Sequence, residues 1–503
     1  MNGSDQVRRG LARFAVAAGM VLGGVACGQH ASPPSSQPPS WCPRITGHDS
    51  ECGVLSRPLV DGQPELGNID IGYALIRHGS GSATPTGTLM PNPGGPGVPT
   101  IAYGTDVAAT TKSMLADYDM LLIDPRGTGV SSPLNCGIHE RDFEVGDRES
   151  ERSAVAQCSN QLGPRAAGYT SAATADDFDA VREHLGIDKV IAYGSSYGTY
   201  LMAVYGQRHP EHLESMVLAG AYPLHFDPLQ RPNAEAVDLT LERICERSGS
   251  CDGRTAVDDL HTVAARLRAA PLALDDMELT EAEFGNLVFE GATSDVGSDP
   301  EEMTPLGRLP AALHTAARGD DTALRAVMTD IVKANVDPED GDDDDLYATV
   351  ACNDYLTLWS PDADDATRAA QYRQALSEID RLGSFSTEGF SDAQHDGGDI
   401  CIGWHAAPTH QRPDESTDPF PSAPVLVLSG DLDAITPDAN GLLASKQFPH
   451  STFVVVPNVG HTPDNEPSGC VAGIIERFLR TGDTGSSTEC LTEIPPIPVE
   501  PVS

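Results

Sequence analysis

Three residues, each just past a short apolar run, have the types needed for acyl-transfer chemistry. Ser196 is the centre of Gly194-Ser195-Ser196-Tyr197-Gly198, a G-x-S-x-G sequence between a strand-like and a helix-like stretch. A serine hydroxyl attacks a carbonyl only when a base takes its proton, and a histidine base needs a carboxylate to hold its tautomer. Ser429-Gly-Asp431-Leu-Asp433 and His461 supply both, in the chain order serine, acid, histidine. Asp433 is the expected acid, and Asp431, nearer the strand end, is the alternative. His461 is the one of 15 histidines that lies just past the final strand pattern. A tetrahedral adduct also needs two N–H donors. The backbone of Tyr197, directly after the serine, offers one. The second is expected from Asn92-Pro-Gly94-Gly95-Pro-Gly97, where Pro93 and Pro96 carry no N–H and Gly94 or Gly95 remains.

These residues must be placed by a sheet. Ile69 to Arg77, Thr86 to Met90, Tyr118 to Ile123, Lys189 to Tyr193, Ser215 to Ala219, Pro424 to Leu428 and Thr452 to Val456 read as strands. Helical patterns separate several of them: 103–116, then Thr174 to Leu185 with Thr174 as N-cap and Asp176 and Asp177 in the first turn, then Tyr197 to Gln207. Such alternation predicts an α/β fold with a mainly parallel sheet. It stops near Ala221 and resumes near Pro424. The interval carries helical segments at 257–269, 310–317 and 321–336 and the acidic run Asp337 to Asp345, read as a solvated loop, so it is expected to be an inserted helical cap. The predicted organisation is a signal peptide at 1–26, a Pro/Ser-rich tether at 27–40, core at 41–220, cap at 221–422, core again at 423–492 and a tail at 493–503.

Composition bounds the setting. Lys+Arg 32 against Asp+Glu 74 leave a formal charge of −42, a surface that repels nucleic acid and anionic lipid, so neither is an expected partner. The sequence has eleven cysteines, no C-x-x-C and no H-E-x-x-H, which points away from zinc and towards disulfides in an oxidising compartment. Arg8, Arg9 and Arg13 precede an apolar run from Leu11 to Val25 that is too short to span a bilayer comfortably. Small residues then lead to Cys27, a candidate lipidation site, which leaves ten cysteines for pairing. Export is the expectation, with the membrane reached only through a lipid anchor at Cys27. The oligomeric state is not legible.

The set Asn-Pro-Gly-Gly-Pro-Gly, Asp-Pro-Arg-Gly-Thr-Gly, Gly-Ser-Ser-Tyr-Gly-Thr-Tyr-Leu, Gly-Asp-Leu-Asp-Ala-Ile-Thr-Pro and Gly-His-Thr resembles the secreted tripeptidyl aminopeptidase branch of the α/β-hydrolases. That branch is related to proline iminopeptidases and common in actinobacteria. The resemblance spans about 41–492 and includes Cys52-Gly-Val-Leu, Cys352-Asn-Asp and Cys401-Ile-Gly-Trp404. It implies hydrolysis of peptides from a free N-terminus through an acyl-enzyme, without metal or other cofactor, by Ser196, Asp433 and His461. With position it also implies the pairings Cys42–Cys52, Cys136–Cys158, Cys245–Cys251, Cys352–Cys401 and Cys470–Cys490. An exopeptidase of this kind must hold the substrate ammonium, which in a desolvated cleft needs a carboxylate. Asp354, pinned beside Cys352, is the expected partner. The same triad would serve an esterase or lipase, and a non-catalytic cell-surface binding protein is a third reading that the intact triad disfavours.

Overall fold

The computed structural model describes residues 38–502 except 80–83, 112–113, 139–146, 275–276, 295, 336–344, 397 and 406–411. The signal peptide, Cys27, most of the tether and all but the last residue of the acidic run lie outside the described residues.

The strands are β1 (Ser50–Pro58), β2 (Asn68–Ile76), β3 (Thr88–Asn92), β4 (Asp119–Ile123), β5 (Val190–Ser195), β6 (Leu213–Ala219), β7 (Leu272–Leu274), β8 (Met277–Leu279), β9 (Val425–Gly430) and β10 (Ser451–Val456). Eight of them form one sheet in the order β1-β2-β4-β3-β5-β6-β9-β10. β1–β2 and β2–β4 are antiparallel, and every later pair is parallel. β3, β4 and β9 are buried along their whole length, as expected for strands covered by helices on both faces. β1, the antiparallel edge, alternates between half-buried and exposed residues and contains Gly53 and Pro58, so its run carries no continuous apolar signal.

Register sets the working edge. Asn92 pairs with Gly194, Ser195 with Ala219, Ala219 with Leu428, and Gly430 with Val456. The carboxyl ends of five parallel strands therefore lie side by side, and the segments that follow them open onto one crevice.

Under the sheet, Phe178, Leu201, Tyr205, Met216 and Val427 share one apolar cluster, and Leu428, Val456, Ile474 and Phe478 share another on the opposite face. Residues of the inserted interval build a third, around Leu241, Leu260, Phe284, Leu313 and Phe385. The helix Asp345–Asp354 also comes from the insertion, yet its Leu346, Val350 and Ala351 join the first cluster. Asp345 corrects the solvated-loop reading at the end of the acidic run: it is buried, and its carboxylate accepts the N–H groups of Cys136 (2.6 Å) and Ile138 (2.9 Å).

Other boundaries also move. The helix expected from Thr174 begins a turn earlier, as Ser171–His184, with Thr170 as the cap that accepts the Ala173 N–H. Asp177 consequently sits inside the helix. It is fully buried and paired with Arg126 (2.8 Å) and Arg57 (3.2 Å), while Asp176 meets Arg208 (2.6 Å). Arg126 also donates to the Leu59 and Gly168 carbonyls, so the Asp-Pro-Arg-Gly-Thr-Gly segment is tied down by a buried guanidinium partnered at all three of its nitrogens. The helix expected at 103–116 is shorter, Gly104–Thr110, and the helix Arg148–Leu162 was not legible as a pattern. All five implied disulfides are formed.

Candidate active site

β5 ends at Ser195 and the helix Tyr197–Arg208 begins two residues later. Ser196 occupies the joint with φ 54° and ψ −130°, a conformation that costs energy for any residue with a Cβ. The flanking glycines leave the space this turn needs. A Cβ on Gly194 would lie 2.3 Å from the Gly198 carbonyl oxygen, and one on Gly198 would lie 2.2 Å from that of Asn92. Ser196 is anchored by its own N–H to the Ala219 carbonyl (3.0 Å). The adjacent Ser195 is committed elsewhere, since its hydroxyl donates to Asp464 at 3.2 Å.

The acid and base follow β9 and β10. Asp433 is buried and its two oxygens are divided. Oδ1 accepts the N–H groups of Ile435 and Thr436, both at 2.8 Å, and Oδ2 faces His461 Nδ1 at 3.2 Å. Thr436 bridges them, donating its hydroxyl to Asp433 Oδ2 and lying 2.9 Å from His461 Nδ1. With Nδ1 turned towards the carboxylate, Nε2 is the ring nitrogen available to a serine proton. Burial pulls the His461 pKa down, but the charge and hydrogen bond of Asp433, with Glu290 and Asp464 nearby, raise it overall. Its backbone N–H reaches the carbonyls of Thr293 and Ser294 (3.2 Å each), so the inserted segment helps hold the base. Asp431 is turned to other partners: Arg247 grips both of its oxygens (2.5 and 3.0 Å), and Asn458 donates a backbone N–H at 2.7 Å.

The glycine loop closes on the serine. A Cβ on Gly94 would approach Ser196 Cβ to 2.9 Å and the Tyr197 nitrogen to 3.2 Å. Gly94 and Gly95 have φ of 113° and 101°, which side chains rarely adopt. The Gly94 N–H is taken by Asn92 Oδ1 at 3.2 Å. Gly95 faces the cavity, and its N–H has no partner among the described residues. That leaves Gly95, with Tyr197 at the first position of its helix, as the two free donors beside Ser196.

Ser196 and His461 line one cavity of about 130 Å³, with Gly95 and Tyr197 in the same wall. No hydrogen bond from the Ser196 hydroxyl occurs among the described residues. Catalytic contacts of this kind commonly tighten only with substrate.

Asp354 is not in this wall. It is 2% exposed, and its carboxylate accepts the Ser171 N–H (2.6 Å) at the start of the helix Ser171–His184. Burial pushes its pKa up to about 6, against the hydrogen bonds from Ser171. The expected disulfide does pin this segment, but the side chain serves as a helix cap, and it is the next residue, Tyr355, that reaches the cavity.

Two other carboxylates do line the cavity, Glu290 and Asp396, both from the insertion. Glu290 lies in the one-turn π-helical segment Leu287–Gly291, a distortion often found at functional sites. Burial first, then the neighbouring Asp396, push its pKa up to about 7, while His461 and the amide of Asn286 (3.2 Å) act the other way. Asp396 receives Tyr347 (2.7 Å), Tyr222 (3.1 Å) and the Gln230 amide (3.2 Å), and burial still raises its pKa. Neither acid belongs to a motif. Among 74 acidic residues the available hints were Glu290 directly after the apolar Leu287-Val-Phe289 and Asp396 beside a histidine.

The described residues that could jointly ligate a metal outside the disulfides, Asp179, His209 and His212, do not line the cavity. Asp179 there already accepts from Arg182 (2.7 Å) and Tyr205 (3.2 Å).

The chain matches the alpha/beta hydrolase fold family over residues 88–292 and the TAP-like protein family over residues 386–490. It is similar to tripeptidyl aminopeptidase of Streptomyces lividans, 30% identical over 33% of this chain and 34% of that protein. It is also similar to serine protease Hip1 of Mycobacterium tuberculosis, 28% identical over 45% of this chain and 49% of that protein. Carboxylesterase B of Mycobacterium tuberculosis matches along nearly the whole length, 26% identical over 94% of this chain and 97% of that protein. The matched stretches thus span about a third of the tripeptidyl aminopeptidase and half of the protease.

Proposed function

Since the chain has the α/β-hydrolase fold and carries a segment matching the TAP-like protein family, we propose that it is a serine aminopeptidase that cleaves short peptides from a free N-terminus. The observation that carries this reading is the pair of half-buried carboxylates, Glu290 and Asp396, in the same cavity as Ser196 and His461. Two neighbouring carboxylates partly withdrawn from water are costly unless they meet a cation, and the α-ammonium of a peptide is the cation that would stand near a scissile carbonyl. An ester substrate gives these acids nothing to do.

In the proposed reaction His461 Nε2 takes the Ser196 proton as Oγ attacks the carbonyl carbon. The resulting oxyanion is received by the N–H groups of Tyr197 and Gly95. His461 then returns the proton to the departing amine, leaving the acyl group on Ser196. A water molecule, deprotonated by the same histidine, then attacks the ester carbonyl, and His461 gives that proton to Ser196 Oγ as the acyl–oxygen bond breaks and the acid leaves. Asp433, held by two backbone N–H groups, stabilises the imidazolium in both halves. The five disulfides support action in an oxidising compartment, and export through the N-terminal segment with lipid at Cys27 is part of the proposal. No helix among the described residues is long and apolar enough to cross a membrane.

The pH dependence tests this reading. With Glu290 near 7, acid protonates it and removes an ammonium partner, whereas loss of the His461 base at low pH affects every substrate. The ratio of kcat/KM for a free-amine peptide to kcat/KM for an N-acetylated ester cancels the histidine. It is expected to rise by up to about tenfold per pH unit below 7, and to fall again above about 8 as the substrate amine loses its proton. Glu290→Gln should remove the rising limb. A ratio flat from pH 5 to 7 would contradict the role of Glu290 and favour an esterase.

A further inference from the structure

Gln230 stands at the cavity wall in a backbone conformation that side chains rarely take, φ 47° and ψ 41°. The conformation is held on both sides. Its N–H donates to the Asp227 carbonyl (2.8 Å), and its carbonyl accepts from Asn233 (3.0 Å) and Ala234 (3.1 Å) at the head of the helix Arg231–Ser248. The side chain is 2% exposed and its Nε2 donates to Asp396 Oδ2 at 3.2 Å. With Asp396 ionised, the form that would pair with an ammonium, that contact fixes which end of the amide is which, because a carboxylate only accepts. Gln230 Oε1 is then left buried with no hydrogen-bond donor among the described residues. A buried amide oxygen without a donor is costly, and here it accompanies a constrained backbone beside two carboxylates.

The missing donor has a chemical identity if the cavity receives a substrate amine, the reading on which this inference rests. A primary α-ammonium carries three N–H bonds. Glu290 and Asp396 accept two of them. We infer that Gln230 Oε1 accepts the third, making Gln230 the residue by which the site distinguishes a primary ammonium from the secondary ammonium of N-terminal proline or an N-methylated residue. A secondary ammonium has two N–H bonds and leaves the Gln230 oxygen unpaired. Sites built to hydrogen-bond a group reject analogues that lack it, because their own polar atoms are stranded.

The test compares otherwise identical peptide anilides beginning with alanine, N-methylalanine, proline and N-acetylalanine. The wild-type enzyme is expected to prefer alanine over both secondary amines by at least about tenfold in kcat/KM. Gln230→Met, of similar length but without an acceptor oxygen, is expected to bring the alanine to N-methylalanine ratio close to one, chiefly through a rise in KM for alanine. A purely structural role, or a clash with the added methyl, would leave that ratio unchanged in the variant, and this result overturns the inference. Thermal melting checks that the variant folds. If it does not, the wild-type ratio decides alone, and equal turnover of alanine and N-methylalanine overturns the inference. Failure of the parent reading looks different: N-acetylalanine would then be cleaved as fast as alanine.

Discussion

Ser196→Ala is expected to leave the fold intact and to lower kcat by roughly a million-fold, because nucleophile, base and acid act as one unit. Ser196 is set on a turn whose backbone N–H, bonded to Ala219, and flanking glycines do not depend on the hydroxyl. The paired control is Ser195→Ala. Its hydroxyl belongs to the Tyr193–Asp464–Ser195 group, where Asp464 also accepts the Tyr193 hydroxyl at 2.8 Å, so its loss should leave reaction with a fluorophosphonate in place. Measured turnover and covalent labelling should both follow residue 196. Labelling lost in Ser195→Ala and kept in Ser196→Ala would show that the turn had been misassigned.

Asp433→Asn is expected to cost about ten-thousand-fold in kcat with little change in structure. The reason lies in how the two carboxylate oxygens are used. Ile435 and Thr436 N–H groups demand an acceptor at Oδ1, so an asparagine would keep its oxygen there and turn its NH2 towards His461 Nδ1. Two donors cannot face each other. The imidazole would respond by moving its proton to Nε2, the atom that must accept the proton of Ser196. Asp431→Asn should behave differently. It breaks the contact with Arg247, and its effect should appear in the melting temperature, with kcat of the folded enzyme within about tenfold. Equal losses of kcat in the two variants would contradict the assignment of the acid.

The placement of the candidate residues was legible where it depends on local sequence. Ser196, Asp433 and His461 each follow a strand whose apolar run is unmistakable, and the crowded turn around Ser196 demands glycine two positions away on both sides. The choice between Gly94 and Gly95 was not legible, because it depends on Asn92 turning its side chain back onto Gly94. Thr436 was not legible either, as a threonine after a strand has many ordinary uses. The two carboxylates of the cavity, proposed here to meet the amine, were missed for a deeper reason. Asp354 was expected on the strength of a disulfide beside it, and that disulfide is present, but a constraint on the backbone does not say where the side chain points. Glu290 and Asp396 are more than a hundred residues apart in the chain. They meet only through packing of the insertion around Tyr222, Gln230 and Tyr347, which belongs to tertiary structure. The Thr174 cap failed similarly, since Thr170 and Thr174 are equal candidates until the burial of Asp177 against Arg126 fixes the helix start.

The central claim, that Ser196 is acylated by peptides recognised through a free amine, is tested most directly by intact-protein mass spectrometry during rapid mixing with a peptide anilide and with its N-acetylated twin. The expected result is a mass gain equal to the N-terminal acyl group, mapped to Ser196, from the free peptide, and none from the acetylated one. Equal acylation of Ser196 by both peptides would contradict the account and leave an esterase or endopeptidase in its place.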